Sequence, residues 1–278
     1  MTKPFMITKA NGQKEPFDMK KFENSLKKSG AAASTIKKIS NKIKQLKPET
    51  TKKLHQKAIQ LLKKEHKGVA GRYNLKKALF ALGPSGYPFE KYIAQLFKAQ
   101  GYITKLNQLM VGKCVNHEVD IIIKHENRHD TVECKFHNKM GNKADVTIAL
   151  STRARFEDIS AAWKKNPDDK HNTHRGWLVT NTQFTSETIK YGTCVGLQLL
   201  GWNYPHKNNL PQLIDQVGLH PITTLTTLTK KQKREFIKKG LVLCSQARKQ
   251  KGLLKKFGFS DQKISNLILE SESVCKLD

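Results

Sequence analysis

The chain has 278 residues, which is long enough for two or three domains with their own cores. Hydrophobic residues make up 37 % of it, and no stretch approaches the roughly 18 apolar residues of a membrane helix, which argues against a membrane-spanning protein. Lysine and arginine total 51 against 23 acidic residues, and the net charge of +28 favours a polyanionic partner such as nucleic acid.

The basic excess is concentrated at the two ends of the chain. Residues 1–82 carry 21 bases and 5 acids, residues 207–278 carry 14 and 6, and the middle, 83–206, carries 16 and 12. This distribution suggests binding at the flanks and chemistry at the centre. The N-terminus lacks the apolar segment of a signal peptide, and the five cysteines form no CxxC pair. We therefore expect a cytoplasmic protein with reduced, mostly buried thiols.

The first 83 residues are predicted to form a β-hairpin followed by helices. ITKANGQKEPF alternates around an Asn-Gly turn, and Asp18 precedes a helix that ends at Gly30. Apolar residues then recur every three or four positions in STIKKISNKIKQL, TTKKLHQKAIQLLKKEH and AGRYNLKKALFAL, which predicts three further helices. The turn-rich joint GPSGYP follows, so we expect a first domain over residues 1–83.

The middle of the chain, residues 84–206, has the pattern of a compact α/β domain in the order α-β-β-α-β-α-β. A helix over PFEKYIAQLFKAQGY precedes two strands, VDIIIK and TVECKF. The later elements are a helix around DVTIALSTRARFEDISAAWKK, a strand GWLVTN, a helix SETIKYGTCVG and a strand LQLLGW. The remainder is helical and basic, which predicts a third domain over residues 207–278.

Three charged residues, Asp120, Glu133 and Lys135, lie inside the first two strands, where charges cost free energy unless they are paired or bind a metal. Glu133 and Lys135 share a face because alternate strand residues do so. In a hairpin that turns near residues 125–129, Asp120 would lie opposite Glu133 or Lys135 and join them on that face. Two carboxylates and a lysine so placed suit metal-assisted phosphodiester hydrolysis. The alternative is a solvated sheet face with a weak ion pair.

The spacing Asp-X12-Glu-X-Lys between apolar strand residues resembles the PD-(D/E)XK nuclease superfamily, and residues 86–202 are similar to Mrr-like restriction endonucleases. GYPFEKYIAQLFKAQGY resembles the first helix of that family, VNHEVDIII its acid-bearing strand, VECKF its E/QxK strand, and WLVTNTQFTSETIKYG its later strand and helix. Val119 stands where the superfamily name has proline. The resemblance implies that Asp120 and Glu133 bind Mg²⁺, that Lys135 is catalytic, and that Glu90 supports the site. Lys139 and Lys143, just beyond, are expected to contact DNA phosphates.

MITKANGQKEPFDMKKFENSLKKSG resembles the ATP-cone, the nucleotide-sensing module of ribonucleotide reductases and their repressors. The matching residues include Lys9, Asn11, Gly12 and Lys21. The resemblance implies that this module binds ATP or dATP as an effector, since a tight glycine turn and a helix N-terminus can cradle phosphates. Ala10 stands where the family usually has arginine. The alternative is a basic module that binds only the DNA backbone.

Near the C-terminus, LLKKFGFSDQKISNLI is similar to a helix-hairpin-helix element, which grips DNA phosphates with backbone amides and lysines. Lys255 and Lys256 are the lysines expected to bind DNA here. Ser260 replaces the usual second glycine and should cap the following helix. An ordinary helical hairpin is the alternative.

Together these patterns predict an α/β protein with a central PD-(D/E)XK nuclease domain, a mixed sheet flanked by helices. An N-terminal ATP-cone domain (β-hairpin plus helices) and a C-terminal helical domain flank it. The expected function is that of a Mg²⁺-dependent DNA endonuclease of the restriction type, a homo-oligomer regulated by ATP. The alternative is a nucleotide-sensing DNA-binding regulator built on a non-catalytic nuclease fold. RNA or branched DNA also stays open as a substrate.

Overall fold

The computed structural model describes residues 5–9, 11–169 and 172–275. Its N-terminal part is the expected hairpin with helices: β1 (Met6–Thr8), β2 (Lys14–Pro16), α1 (Met19–Lys28), α2 (Ala33–Leu46), α3 (Thr51–Glu65), α4 (Lys67–Tyr73) and α5 (Leu75–Phe80). The carboxylate of Asp18 caps α1 by accepting the Lys21 N–H at 2.9 Å. The last predicted helix is two helices, because Asn74 adopts φ −88° and ψ 3° and interrupts it. Its apolar spacing continues across the break, which is why the sequence pattern conceals it.

The central part is built around a mixed sheet, five-stranded in the described residues, in the order β3-β4-β5-β7-β9. Strands β3, β4 and β5 are antiparallel neighbours, whereas β7 and β9 run parallel to β5. The elements are α6 (Tyr87–Ala99), β3 (Ile103–Val111), β4 (Asn116–His125), β5 (Arg128–Lys135), β6 (Lys143–Ala144), α7 (Val146–Trp163), β7 (Gly176–Thr180), β8 (Gln183–Phe184), α8 (Ser186–Cys194) and β9 (Gln198–Leu200). The expected fold class, α/β with a mixed sheet flanked by helices, is confirmed.

The predicted element order lacks three strands: β3, which precedes the acid-bearing strand β4, and the two-residue strands β6 and β8. β3 forms the edge of the sheet, and its residues alternate between half-buried and exposed along its whole length. Ile103, Leu109 and Val111 are among the most exposed apolar residues of the described chain. An edge strand that buries so little lacks the apolar run by which the other strands were recognised.

Helices cover both faces of the sheet. On one face, Phe89 and Tyr92 of α6 pack in the largest core cluster with Ile121 of β4 and Val132 of β5. On the other face, Ile159 and Trp163 of α7 pack against Val119 and Ile122 of β4. Burial on both faces explains why β4 has a continuous apolar run with a single acid in it.

The C-terminal part is helical, as expected, and has its own apolar cluster. Its elements are α9 (Leu210–Val217), a 3₁₀ turn (Ile222–Thr224), α10 (Lys230–Lys238), α11 (Cys244–Ala247), α12 (Lys251–Lys256) and α13 (Asp261–Cys275). Ser260 accepts the Lys263 N–H on Oγ at 3.3 Å, so its predicted role as a helix cap is confirmed. Leu210 and Ile214 of α9 belong to the core cluster of the central sheet, which ties the two parts together.

The first and last parts of the chain contact each other through α4 and α13. Gly68 and Gly71 face Ser273 and Val274 so closely that a Cβ at either glycine would collide with α13. The Arg72 guanidinium donates to the backbone oxygens of Ser29, at 2.9 Å, and of Ser273, at 2.7 Å. The N-terminal helices are therefore joined to the C-terminal helix α13 by close packing and by the two hydrogen bonds that Arg72 donates.

The thiols differ from expectation. Cys134 and Cys244 are buried and Cys275 is half-buried, but Cys114 and Cys194 are exposed. Among the described residues, no helix combines the length and the apolar character needed to cross a bilayer.

Candidate active site

The hairpin of β4 and β5 determines where the charged strand residues meet. Its turn is Glu126 and Asn127, with Glu126 at φ 51°, and Ile121 lies opposite Val132. The pairing ends at these two residues, so neither expected pairing of Asp120, with Glu133 or with Lys135, forms part of the ladder. The side chains of Asp120 and Glu133 come together just beyond it, where both lie near Arg155 of α7.

The two strands stop pairing beyond Ile121 and Val132, and the carboxylate of Asp120 fills the gap. Its Oδ2 accepts the Cys134 N–H at 2.7 Å, which replaces a bond of the ladder. Burial raises the pKa of Asp120, and the Cys134 N–H and the charge of Arg155 act against that rise. The half-buried Asp120 carboxylate thus lies between the ends of β4 and β5, where the two strands no longer pair.

Glu133 lies beside a cation that the sequence patterns did not reveal. Arg155 of α7 forms an ion pair with its carboxylate and donates to it from Nη1. Burial raises the pKa of Glu133, the neighbouring Asp120 carboxylate raises it further, and Arg155 opposes both. The two carboxylates are close enough to repel each other, and Arg155 offsets part of that repulsion.

Lys135 is exposed at the end of β5, beside Thr180 of the parallel strand β7. It lines an open cleft of about 650 Å³ together with residues 136–139 and the start of α7. Asn181 fixes the chain just beyond it, because its side chain bonds both the backbone N–H and the backbone oxygen of His137 at 2.9 Å. The lysine therefore projects from a rigid strand end into solvent-accessible space.

Glu90 lies in the first turn of α6 and faces the same carboxylates from the other side of the strand ends. Burial raises its pKa from the ordinary value of 4.5 to about 7, and the charges of Asp120 and Glu133 contribute to the rise. Asn107 of β3 donates to Glu90 at 3.4 Å. Asn107 has the left-handed φ of 49° and interrupts the pairing of β3 with β4 opposite Asp120.

This donor set fits a hard divalent cation. Asp120, Glu133 and Glu90 supply carboxylate oxygens, and burial is the main cause that raises the pKa of each, with Asp120 also raising the pKa of Glu90 and Glu133. No cluster of three or more His, Cys, Asp or Glu side chains in the described chain already has metal-binding geometry. Mg²⁺ commonly uses only one or two carboxylates and completes its shell with water and phosphate oxygens. Asp120 and Glu133 could provide that pair.

Comparison with known proteins places the chain in a family. A model described as restriction endonuclease matches residues 83–201, and a model described as AF1548-like, C-terminal, matches residues 220–275. An uncharacterized protein of Archaeoglobus fulgidus is 35 % identical over 185 residues, which are 66 % of this chain and 99 % of the relative. The chain belongs to the AF1548-like family. A crystal structure described as a protein of unknown function, AF1548, is 33 % identical, with a TM-score of 0.54 over 69 % of this chain and 98 % of that one.

Within this AF1548-like chain, the restriction-endonuclease match includes the helix with Glu90 and the strands with Asp120, Glu133 and Lys135. The match supports a nuclease-family domain. Both family models leave residues 1–82 outside their matched ranges, so the resemblance of that segment to the ATP-cone receives no support from them.

The lysines expected to bind DNA are divided between two places. Lys139 lines the cleft beside Lys135, whereas Lys143 lies on the short strand β6, paired with Gln183. Lys255 and Lys256 lie in the last turn of α12, where Lys255 pairs with Asp261 at 3.4 Å, and neither lines the cleft. The site thus brings together only the first of these four lysines with Lys135.

The residues expected to bind nucleotide lie on the hairpin and on α1, and several already have partners. Lys9 forms an ion pair with Glu15, and Asn11 Oδ1 accepts the Gln13 N–H at 3.1 Å. Gly12 has φ 84°, which is the tight glycine turn that was expected. The N-terminus of α1 is already capped, because the Asp18 carboxylate accepts the backbone N–H of Lys21. Ala10, the departure from the family pattern, lies outside the described residues.

Three residues near the strand ends escaped the sequence patterns. Arg155 and Asn107 reach the carboxylates from α7 and from the edge strand, and Asn181 follows β7. Only the acid and lysine spacing within one hairpin was visible in the sequence. Contacts between elements far apart in the chain left no local signal, although the polar Asn181 directly after an apolar strand was one available hint.

Replacing Glu90 with glutamine is expected to raise the melting temperature of the metal-free protein at pH 8 but not at pH 5. A pKa raised in the folded state means that folding favours the protonated acid, so stability present below about pH 4.5 is lost as the pH rises through about 7. Glutamine carries no charge to bury. After discounting for solvent screening, the gain is about 1 kcal/mol, or about 2–4 °C, measured by calorimetry in EDTA.

Glu187→Gln is the matched control for this measurement, because Glu187 lies in the first turn of α8 and its pKa is lowered. It should give no gain at pH 8. An equal gain for Glu90→Gln at both pH values would show that the charge of Glu90 is not the cause.

Proposed function

We propose that this chain is a Mg²⁺-dependent DNA endonuclease of the Mrr-like restriction type, regulated by adenine nucleotide through an ATP-cone-like domain over residues 1–83. In this proposal residues 84–206 form the nuclease domain, residues 207–278 form a basic helical domain, and the protein works in the cytoplasm. Double-strand cutting with one site per chain requires two chains, so a homo-oligomer is part of the proposal.

The observation that carries the nuclease proposal is the arrangement of Asp120, Glu133 and Lys135. The hairpin of β4 and β5 brings the two carboxylates together just beyond its last pair, Ile121 with Val132, and Lys135 lines a cleft that Lys139 also lines. A domain of the restriction-endonuclease family contains them all. A scaffold with no chemistry to perform gains nothing from repelling, half-buried carboxylates.

In this mechanism Asp120 and Glu133 would hold Mg²⁺, which would supply Lewis-acid activation of the phosphate and of the attacking water. Lys135 orients the attacking water and stabilises the negative charge that develops on the phosphate. Arg155, which pairs with Glu133, adds a second positive charge to the site. Glu90, with a pKa of about 7, is able to take up a proton near neutral pH.

The test is incubation of supercoiled plasmid with the purified full chain, with Mg²⁺ and with EDTA. Nicking or linearisation that requires Mg²⁺ is expected, and RNA and branched DNA are included as further substrates. Absence of cleavage of every substrate with Mg²⁺, at protein concentrations where DNA is bound, would contradict the proposal.

A non-catalytic, nucleotide-sensing DNA-binding regulator is the second candidate. The observation that favours it is the ion pair of Glu133 with Arg155, which gives one carboxylate a partner other than a metal. In that case DNA binding should respond to nucleotide while Mg²⁺ produces no cleavage.

The regulatory part of the proposal rests on the resemblance of residues 5–82 to the ATP-cone and on a route by which that part could act. Arg72 joins Ser29, just after α1, to Ser273 of α13. Thr223 donates to the backbone oxygen of Ala78 at 2.6 Å, which joins the 3₁₀ turn to α5. A nucleotide that prefers one arrangement of the N-terminal helices would therefore bias the C-terminal ones.

ATP is expected to shift the monomer–dimer equilibrium or the cleavage rate, and Lys9→Ala combined with Lys21→Ala should abolish the shift. Both lysines would neutralise the triphosphate, and Lys9 would exchange its bond to Glu15 for that contact. Sedimentation and calorimetry up to millimolar ATP measure the effect. Lys14→Ala with Lys20→Ala, on the same hairpin and helix, is the matched control. No heat and no shift in the unaltered protein would overturn nucleotide regulation.

A further inference from the structure

A second cleft lies between the N-terminal end of α6 and the C-terminal end of α10, apart from the cleft of Lys135. Its volume is about 470 Å³, within the range of small-molecule sites. The sequence segments that form its walls are more than 140 positions apart, residues 82–91 on one side and 234–240 on the other. It shares no lining residue with the cleft of Lys135.

The lining of this cleft is basic. Four cations contribute to it, and the described residues that line it include no acid: Lys91, Arg234, Lys238 and Lys239. Of these, Lys238 has a nearby carboxylate, Glu235, at 3.3 Å. A concave surface with several positive charges and no negative one in its wall attracts an anion.

The same cleft offers a flat apolar wall. Tyr87 is 47 % exposed at the start of α6, and Pro84 and Pro88 flank it. Lys91 Nζ lies 5.4 Å from the centre of the Tyr87 ring. An aromatic face with cations beside it is how proteins bind the base and the phosphate of an unpaired nucleotide.

Gly240 leaves room for the end of Lys91. It has a φ of 73°, a conformation that favours glycine, and a Cβ at this position would collide with the Lys91 ammonium. The ammonium therefore lies where the segments 82–91 and 234–240 face each other.

The cleft adjoins the candidate active site through the segment 83–88. Gly83 packs against Phe136 and Asn138, and Asn138 donates to the backbone oxygen of Pro84 at 2.9 Å. Phe136 directly follows Lys135, so one short segment separates the two clefts. A DNA strand that runs from Lys135 and Lys139 across this segment would enter the second cleft.

We propose that this cleft binds an unpaired nucleotide of the DNA substrate, with its base on Tyr87 and its phosphates on Lys91 and Arg234. The inference rests on the proposed function, in that it specifies the substrate as DNA with a single-stranded part next to the bond that is cut. Duplex DNA keeps its bases stacked inside the helix and presents none to Tyr87.

The experiment compares two labelled DNAs by fluorescence anisotropy with the full chain in EDTA, so that nothing is cut. One is a short blunt duplex, and the other is the same duplex with about 10 unpaired nucleotides, enough to span such a site. The extended DNA should bind about tenfold more tightly. Tyr87→Ala should remove that preference and leave the affinity for the blunt duplex unchanged, whereas Tyr87→Phe should keep it.

Lys91→Ala with Arg234→Ala should weaken binding of the extended DNA, and Lys164→Ala with Lys165→Ala, two exposed lysines just after α7 in the least basic part of the chain, is the matched control. The inference would be overturned if Tyr87→Ala lowered the affinity for both DNAs equally. It would also be overturned if free ATP displaced the extended DNA while single-stranded DNA did not. If plasmid is cut but no preference exists, the inference fails alone. If the Tyr87-dependent preference exists but nothing is cut, the nuclease proposal fails and the cleft assignment stands.

Discussion

Replacing Asp120, Glu133 or Lys135 with alanine is expected to lower Mg²⁺-dependent cleavage by about 10³-fold while DNA binding is retained. Both carboxylates serve the cation and the lysine serves the transition state, so removing any one disables chemistry that the other two cannot supply. Binding survives because most of the positive charge lies in the flanking parts of the chain. Single-turnover cleavage of plasmid and anisotropy with a duplex measure the two effects separately.

Lys124→Ala is the control for this set, because Lys124 lies on β4 of the same hairpin and points to solvent beyond the carboxylates. It should cut at nearly the unaltered rate. Glu133→Gln should keep slight activity, because an amide oxygen can still bind the cation weakly. Any of the three alanine variants cutting at the unaltered rate with Mg²⁺ would show that the site has been assigned wrongly.

The hairpin was predictable because its chemistry is local. Asp120 and Glu133 are separated by a short turn, Glu126 with Asn127, whose register carries both residues to the same end of the hairpin. The edge strand β3 was not predictable in the same way. Asn107 breaks its pairing, and its apolar residues point partly to solvent, so periodicity and burial conflict there.

The surroundings of the site depend on contacts that no local pattern encodes. Arg155 reaches Glu133 from the middle of α7, whose sequence is otherwise that of an ordinary helix covering a sheet. Tyr87 and Arg234 line the same cleft because the chain brings α10 near the start of α6, although the two are far apart in sequence. Sequence patterns therefore predict which charges are costly, and the tertiary structure decides which groups offset that cost.

DNA affinity is expected to fall about 10³-fold between 0.05 and 0.2 M salt. If about six phosphates are neutralised, log K falls with log salt at a slope near −5, because each contact releases condensed counterions. The net charge of +28 and its concentration at the two ends of the chain are the reason to expect so many contacts. Anisotropy titrations in EDTA over a series of KCl concentrations give the slope directly.

Single substitutions then locate the contacts, since removing one phosphate contact should make the slope less negative by about 1. Lys139→Ala should do so, because Lys139 lines the cleft beside Lys135. The other lysines proposed to bind DNA are tested by Lys143→Ala, Lys255→Ala and Lys256→Ala. Lys255 must break its ion pair with Asp261 before it can bind a phosphate. Lys124→Ala, on β4 in the least basic part of the chain, is the control in the same titration. A slope near zero in the unaltered protein would mean that its positive charge is not a DNA-binding surface, and unchanged slopes in all four variants would place that surface elsewhere on the molecule.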